Sequence, residues 1–178
     1  MGEPAVWRKS AGATLLEFAL MISVLGVLVF ILLDRMTYYQ EWVEKANMEY
    51  TAATLKSALR MELATLMVEG RMREMPAMEK QNPMTWLEQK PANYLGEFDG
   101  APPDTQPRDG WYYDRSAWVL VYRVNRGRYF VPDSRGRREV RFSVMAIYDK
   151  SPDDMKLRAS PMPPSGIKLS LIEAYKWF

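Results

Sequence analysis

Residues 18–33 read FALMISVLGVLVFILL, an apolar run broken only by Ser23 and Gly26. Extended back to Ala13, the segment covers 21 residues, about 31 Å of helix at ~1.5 Å per residue. That matches a hydrocarbon core of about 30 Å. Further on, Met48, Ala52, Leu55, Leu59, Leu63 and Leu66 recur at spacings of three and four. They form one stripe of an amphipathic helix, which predicts core packing. Glu44, Lys45, Glu49, Lys56, Arg60 and Glu62 fall on its other faces. Between Ala13 and Glu69 there is no proline and one glycine, Gly26, whereas eleven prolines and seven glycines follow from Gly70 onward. This break predicts one helix over 13–69, stopped at Gly70, then a turn-rich head over 70–178. Fifty-seven helical residues would reach about 85 Å, so part of the rod must project from any compact domain of this size.

Residues 71–110 read as a connection. Asn82-Pro83 followed by MTWLEQ predicts an N-cap and first-turn proline opening a short helix that ends before Pro91. The stretch 100–110, GAPPDTQPRDG, is loop. Period-two and β-branched or aromatic patterns then predict strands at 111–114, 117–124, 128–131, 139–149 and 167–177. The links DRS and NRG suit hairpins, Pro132-Asp133-Ser134-Arg135-Gly136 is a turn, and the proline-rich 151–166 is a long edge loop. The fold class is α+β: a long N-terminal spine, its first half transmembrane over 13–33, packed on an antiparallel meander of four or five strands.

Composition narrows the chemistry. Hydrophobic residues at 48% and charged residues at 26% are the balance of a folded chain, and a net charge of +2 does not by itself imply a nucleic-acid or membrane-surface partner. There is no cysteine and no histidine, which removes disulfides, the usual zinc sites, Ser/His/Asp triads and Cys/His pairs. Scattered carboxylates point to no catalytic pair, so no enzyme activity, cofactor or metal is expected. Methionines at 61, 67, 72, 75, 78 and 84 serve as adaptable packing rather than soft-metal ligands.

The order of features at the N-terminus is not that of an ordinary secretory signal, which places its small-residue cleavage site after the apolar run. Here Ser10, Ala11 and Gly12 lie before the run, and Arg8 and Lys9 precede them. The positive-inside rule keeps this leader cytoplasmic and exports the remainder. Glu17 stands at the start of the span, where an ionisable group costs a few kcal/mol, roughly 2–3 on insertion scales. An interfacial glutamate that snorkels or is protonated is one explanation.

The sequence Lys9-Ser10-Ala11-Gly12-Ala13-Thr14-Leu15-Leu16-Glu17-Phe18 resembles the processing site of type IV prepilins and type II secretion pseudopilins. The resemblance covers about the first 35 residues. It implies leader removal (1–12) by a prepilin peptidase between Gly12 and Ala13, and N-methylation at Ala13. It also implies assembly through Glu17, with partners in other pilin or pseudopilin subunits, an inner-membrane assembly platform and membrane lipid. Ala13 stands where the family commonly has phenylalanine, and Asp34 where many pilins have proline. Cleavage would create an ammonium at Ala13. Paired with Glu17 of a neighbouring helix in a dry core, it would fix register, because a buried charge stripped of its partner costs about 3–5 kcal/mol. The resemblance places the chain in a bacterial inner membrane with a periplasmic, pilin-like head. The lack of cysteine leans toward a minor pilin or pseudopilin, since major pilins often close their C-terminal region with a disulfide.

Two head features invite function. Arginines 123, 126, 128, 135, 137, 138 and 141 crowd one segment, against Asp133 and Glu139. Arg126, Arg128, Arg135, Arg137 and Arg138 form a candidate basic contact patch. Solvated hairpin ends, an acidic surface on the next subunit and DNA phosphates are its three readings, in descending order. Asp149, Asp153 and Asp154 resemble the C-terminal calcium site of major pseudopilins, but their spacing fits no standard calcium loop. A different class of reading keeps the anchor uncut, as a bitopic periplasmic binding or sensor domain.

Overall fold

A computed structural model of the chain describes residues 14–103, 110–148 and 164–178. It falls into two units, the first reaching Gln40 and the second Glu41–Phe178. Helix α1 runs Leu15–Val68. It ends where the periodicity ends: Gly70 takes φ +69°, and its N–H bonds the Met67 carbonyl while that of Arg71 bonds Leu66. This left-handed stop is the conformation glycine adopts without steric cost.

Within the second unit α1 packs on a mixed sheet. The sheet is built from β1 (Tyr94–Phe98), β2 (Gly110–Asp114), β3 (Val119–Arg123), β5 (Glu139–Ile147) and β6 (Gly166–Leu171), in the order β1-β2-β3-β5-β6. The segment between β3 and β5 contributes β4 (Phe130–Val131). It leaves the sheet and forms a two-stranded ribbon with β7 (Lys176–Trp177). The helical stripe is buried as its spacing predicts: Met48, Ala52, Leu55, Leu59 and Leu66 lie against Trp111, Tyr113, Leu120, Tyr122, Val140, Phe142 and Leu169, with Leu63 half-buried at the margin. Leu55 is fully buried, so truncating it to alanine would cost about 2–5 kcal/mol. On the opposite sheet face a smaller cluster joins Tyr112, Val119 and Val121 to Leu95 and Phe98.

Four features depart from the sequence reading. First, the 71–110 connection contains β1, which pairs with β2 in parallel and with an irregular register between Tyr94 and Glu97. Gly96, at φ +111°, sits in that irregularity, as a bulge requires. The sheet is therefore mixed rather than wholly antiparallel. Second, the short helix after Asn82 is a single 3-10 turn over Pro83–Trp86. The Asn82 side chain caps it by accepting from the Met84 N–H at 3.0 Å, and a second 3-10 helix covers Met72–Lys80. Third, NRG at 125–127 makes no hairpin. Fourth, 167–177 is not one strand, because it breaks between Leu171 and Lys176.

Candidate functional site

The first unit carries the apolar surface. Every large hydrophobic side chain from Leu15 to Leu33 is exposed, and one helix is long and apolar enough to cross a membrane. In water this is an untenable surface, far larger than the patches that monomers tolerate. In a bilayer or a bundle of like helices it is the required one. The backbone is satisfied within the helix, and Ser23 donates its hydroxyl to the Ala19 carbonyl at 2.8 Å. The polar interruption therefore needs no outside partner.

Glu17 occupies the first turn of α1. Its carboxylate accepts from the Thr14 N–H at 3.3 Å, while the Glu17 N–H donates to the Thr14 hydroxyl at 3.3 Å. This reciprocal pair is a capping box, satisfying two otherwise orphaned helix-start donors. The T-x-x-E spacing was present in the sequence, yet only its resemblance to a processing site suggested a role. Arg8, Lys9, Gly12 and Ala13 lie outside the described residues, as do Asp149, Asp153 and Asp154.

In the second unit, two carboxylates of α1 grip the loop after β3. Glu41, only 1% exposed, accepts from the N–H groups of Arg128 (2.8 Å) and Tyr129 (3.1 Å) and from the Trp177 indole (3.3 Å). One turn on, Glu44 accepts from the N–H groups of Asn125 (2.6 Å) and Arg126 (2.9 Å) and from the Tyr122 hydroxyl (3.1 Å). Glu49 takes the Tyr175 hydroxyl at 2.8 Å and Lys45 donates to the Trp177 carbonyl at 3.2 Å. Glu44, Lys45 and Glu49, assigned from sequence to outward faces, thus fasten the head to its helix. The oxygen fork of each carboxylate replaces the hairpin bonds that 125–129 does not make. Backbone amides are invisible to a charge pattern, so this clamp left no signal in the sequence.

The arginines gather at one end of the sheet, because β3 ends and β5 begins there, with Arg123 opposite Glu139. They divide into two groups. Arg137 faces Glu139 at 3.3 Å and Asp133 at 3.6 Å and is half-buried. Glu139 also accepts from the Tyr112 hydroxyl at 3.4 Å. Arg126, Arg128, Arg135 and Arg138 are exposed. Of the five-residue patch, Arg137 is therefore structural and the other four remain at the surface. Burial raises the Asp133 carboxyl, but the N–H groups of Arg137 and Arg135 outweigh it and hold Asp133 below the ordinary range. Burial also pushes the Tyr112 phenol up to about 12, with the Glu139 charge adding to it.

Clefts open on the head among the described residues. One of about 110 Å³ lies between the β4–β7 ribbon and β5, lined by Asp133, Glu139, Arg141, Glu173 and Lys176. Another, of about 370 Å³, is lined by Lys80, Asn82, Glu97, Arg115 and Trp118. Among the described residues no group of three or more Asp or Glu could hold a metal ion.

No protein-family model matches this chain, and no curated protein or solved structure matches it. Its class therefore rests on architecture. A long N-terminal apolar helix continues as the packing helix of a C-terminal sheet, which is an α+β, pilin-like arrangement.

Proposed function

We propose that this chain is a non-enzymatic structural subunit, a minor pilin or pseudopilin, of a type IV pilus or type II secretion-like filament. Its leader is removed between Gly12 and Ala13 by a prepilin peptidase, Ala13 is N-methylated, and the subunit waits in the inner membrane with its head in the periplasm. An assembly platform then transfers it into a filament of like subunits.

The observation that carries the reading is the combination on α1: a wholly exposed apolar segment with a carboxylate in its first turn. In a simple anchor that carboxylate does no more than cap the helix. A staggered bundle does, because each Glu17 can meet the new ammonium of a neighbour. The capping box leaves this open, since Thr14 engages one carboxylate oxygen, Oε2, and the hydrogen bond is long. Intact-mass measurement of the chain extracted from cells containing a prepilin peptidase tests the processing step. A mature species beginning at Ala13 and carrying one N-methyl group, a net gain of one CH2, is expected. A chain retaining Met1 to Gly12 would return the protein to the class of uncut bitopic domains.

A further inference from the structure

The exposed arginines share one location with a set of aromatic side chains, of which Trp42 and Phe178 are exposed and Tyr129 is half-buried. The loop 124–129 and the turn 132–138 both lie at the end of the sheet where β3 stops and β5 starts, joined by a bond from the Val124 N–H to the Arg138 carbonyl at 2.9 Å. Glu41 and Glu44 hold that loop, so the same end carries the first turn of α1 within the head. There Trp42 is 55% exposed. The rings of Tyr129 and Phe178 stack at 5.4 Å, and the Arg128 guanidinium lies 5.7 Å from the Tyr129 ring.

The acids at this end are turned inward. Glu41 and Glu44 are occupied by backbone N–H groups, Asp133 by the N–H groups of Arg135 and Arg137, and Glu139 by Tyr112 and Arg137. Glu173 remains exposed across the smaller cleft, beside the equally exposed Lys176. None of the ion pairs among the described residues uses Arg126, Arg135 or Arg138. Arg126, Arg135 and Arg138 thus form a cationic rim beside these rings, with little negative charge among the described residues to compensate them.

Covalent geometry limits where the rim can go. Seven residues lie between Leu33, the last of the apolar run, and Glu41, so even fully extended chain keeps the two within about 30 Å. Arginines and interfacial aromatics are the side chains that favour a headgroup layer. We propose that this end of the head is a membrane-docking surface, which sets Arg126, Arg135 and Arg138 on the phosphates of anionic lipids in the membrane holding the chain's own apolar helix. The inference rests on the membrane-anchored reading above and adds what the head does before assembly. Such contacts are screened by salt and individually weak, so the docked head can still be withdrawn.

The chain has no cysteine, so Asn125→Cys and Ala117→Cys each provide one labelling position. Asn125 is exposed on the arginine-bearing loop, and Ala117 is exposed in the β2–β3 turn at the opposite end. The labelled full chain is placed in nanodiscs of phosphatidylcholine, with or without phosphatidylglycerol, containing headgroup-spin-labelled lipid. In the anionic discs the Asn125 probe should be quenched several-fold more than the Ala117 probe. The excess should vanish in neutral discs, in high salt, and in Arg126→Glu/Arg135→Glu/Arg138→Glu, since each basic residue near such a surface is worth roughly five-fold in binding. Equal quenching at both positions, or quenching at Asn125 indifferent to lipid charge, overturns the inference. So does quenching that follows the protein-to-lipid ratio, which would mark contact with a second copy. A chain that enters the discs while Asn125 stays unquenched overturns this inference alone. A chain that never enters them overturns the anchored reading as well.

Discussion

Replacing Glu41 by alanine removes the acceptor for three donors at once. Two are backbone N–H groups and one is an indole, at 2.8, 3.1 and 3.3 Å, around a residue 1% exposed. Each buried donor left unsatisfied costs about 1–3 kcal/mol. Partial access of water to the loop then brings the total to about 4 kcal/mol. That is a large share of the ~5–15 kcal/mol that stabilises a typical domain. For a head of this size it corresponds to a fall of roughly 10–15 °C in Tm. Glu41→Gln keeps one carbonyl oxygen but turns an amide N–H toward the same donors, and about half the loss is expected. Glu49→Ala is the control. It removes one hydrogen bond from Tyr175 and a 4.0 Å ion pair with Lys45, at a side chain 51% exposed, at a cost of about 1 kcal/mol. Thermal melts of the full chain in detergent, followed by tryptophan fluorescence, read all three, because Trp177 and Trp111 are buried. A Glu41→Ala protein melting within about 3 °C of wild type would show that the clamp is not what fastens the head to its helix.

Two further substitutions probe the sheet. Gly110 has φ +120° and a Cβ there would collide with the Asn93 carbonyl oxygen, which bonds the Trp111 N–H. Gly110→Ala should therefore unzip the parallel β1–β2 pair, seen as rapid amide exchange over Tyr94–Phe98. Ordinary protection there would contradict it. Burial raises the Asp114 carboxyl, but the Ser116 hydroxyl and the N–H groups of Gly100, Ala117 and Ser116 together hold it below the ordinary carboxylate range. A depressed folded-state pKa gives stability that is present above the unfolded value of about 3.9 and lost as pH falls through the folded one. Melting curves from pH 7 to strongly acidic conditions should converge for wild type and Asp114→Asn at the acid end. A gap that stays constant with pH would count against this assignment.

The helix and its stripe were legible because burial along α1 follows a period that side chains announce, from Met48 to Leu66. The strands around Trp111, Leu120 and Phe142 were legible for the same reason. What escaped notice depended on partners with no sequence signature. Tyr94–Phe98 has a central glycine and only partial burial, and it finds its place by parallel pairing. Phe130 looked like the next strand of a meander, but Glu41 and Glu44 hold the preceding loop on the helix, which directs β4 to Trp177 instead. The arginine run was visible as composition. Its division into a structural Arg137 and an exposed rim was not, because side-chain direction depends on register with Glu139.

Glu17 bears most directly on the claim that this chain builds a filament, and its two roles can be separated. Gln can complete a capping box with Thr14 as Glu does, but it carries no charge for a neighbour's ammonium. Thr14→Ala does the reverse, removing the cap and keeping the carboxylate. The decisive measurement is recovery of wild type, Glu17→Gln and Thr14→Ala in the sheared-filament fraction of cells that assemble the filament. The account predicts that wild type and Thr14→Ala enter the fraction, while Glu17→Gln is processed, stays in the membrane and is missing from it, since it would leave the neighbour's ammonium buried and unpaired. Entry of Glu17→Gln at the wild-type level would reduce Glu17 to a helix cap. Absence of the wild-type chain from the fraction would contradict the filament itself.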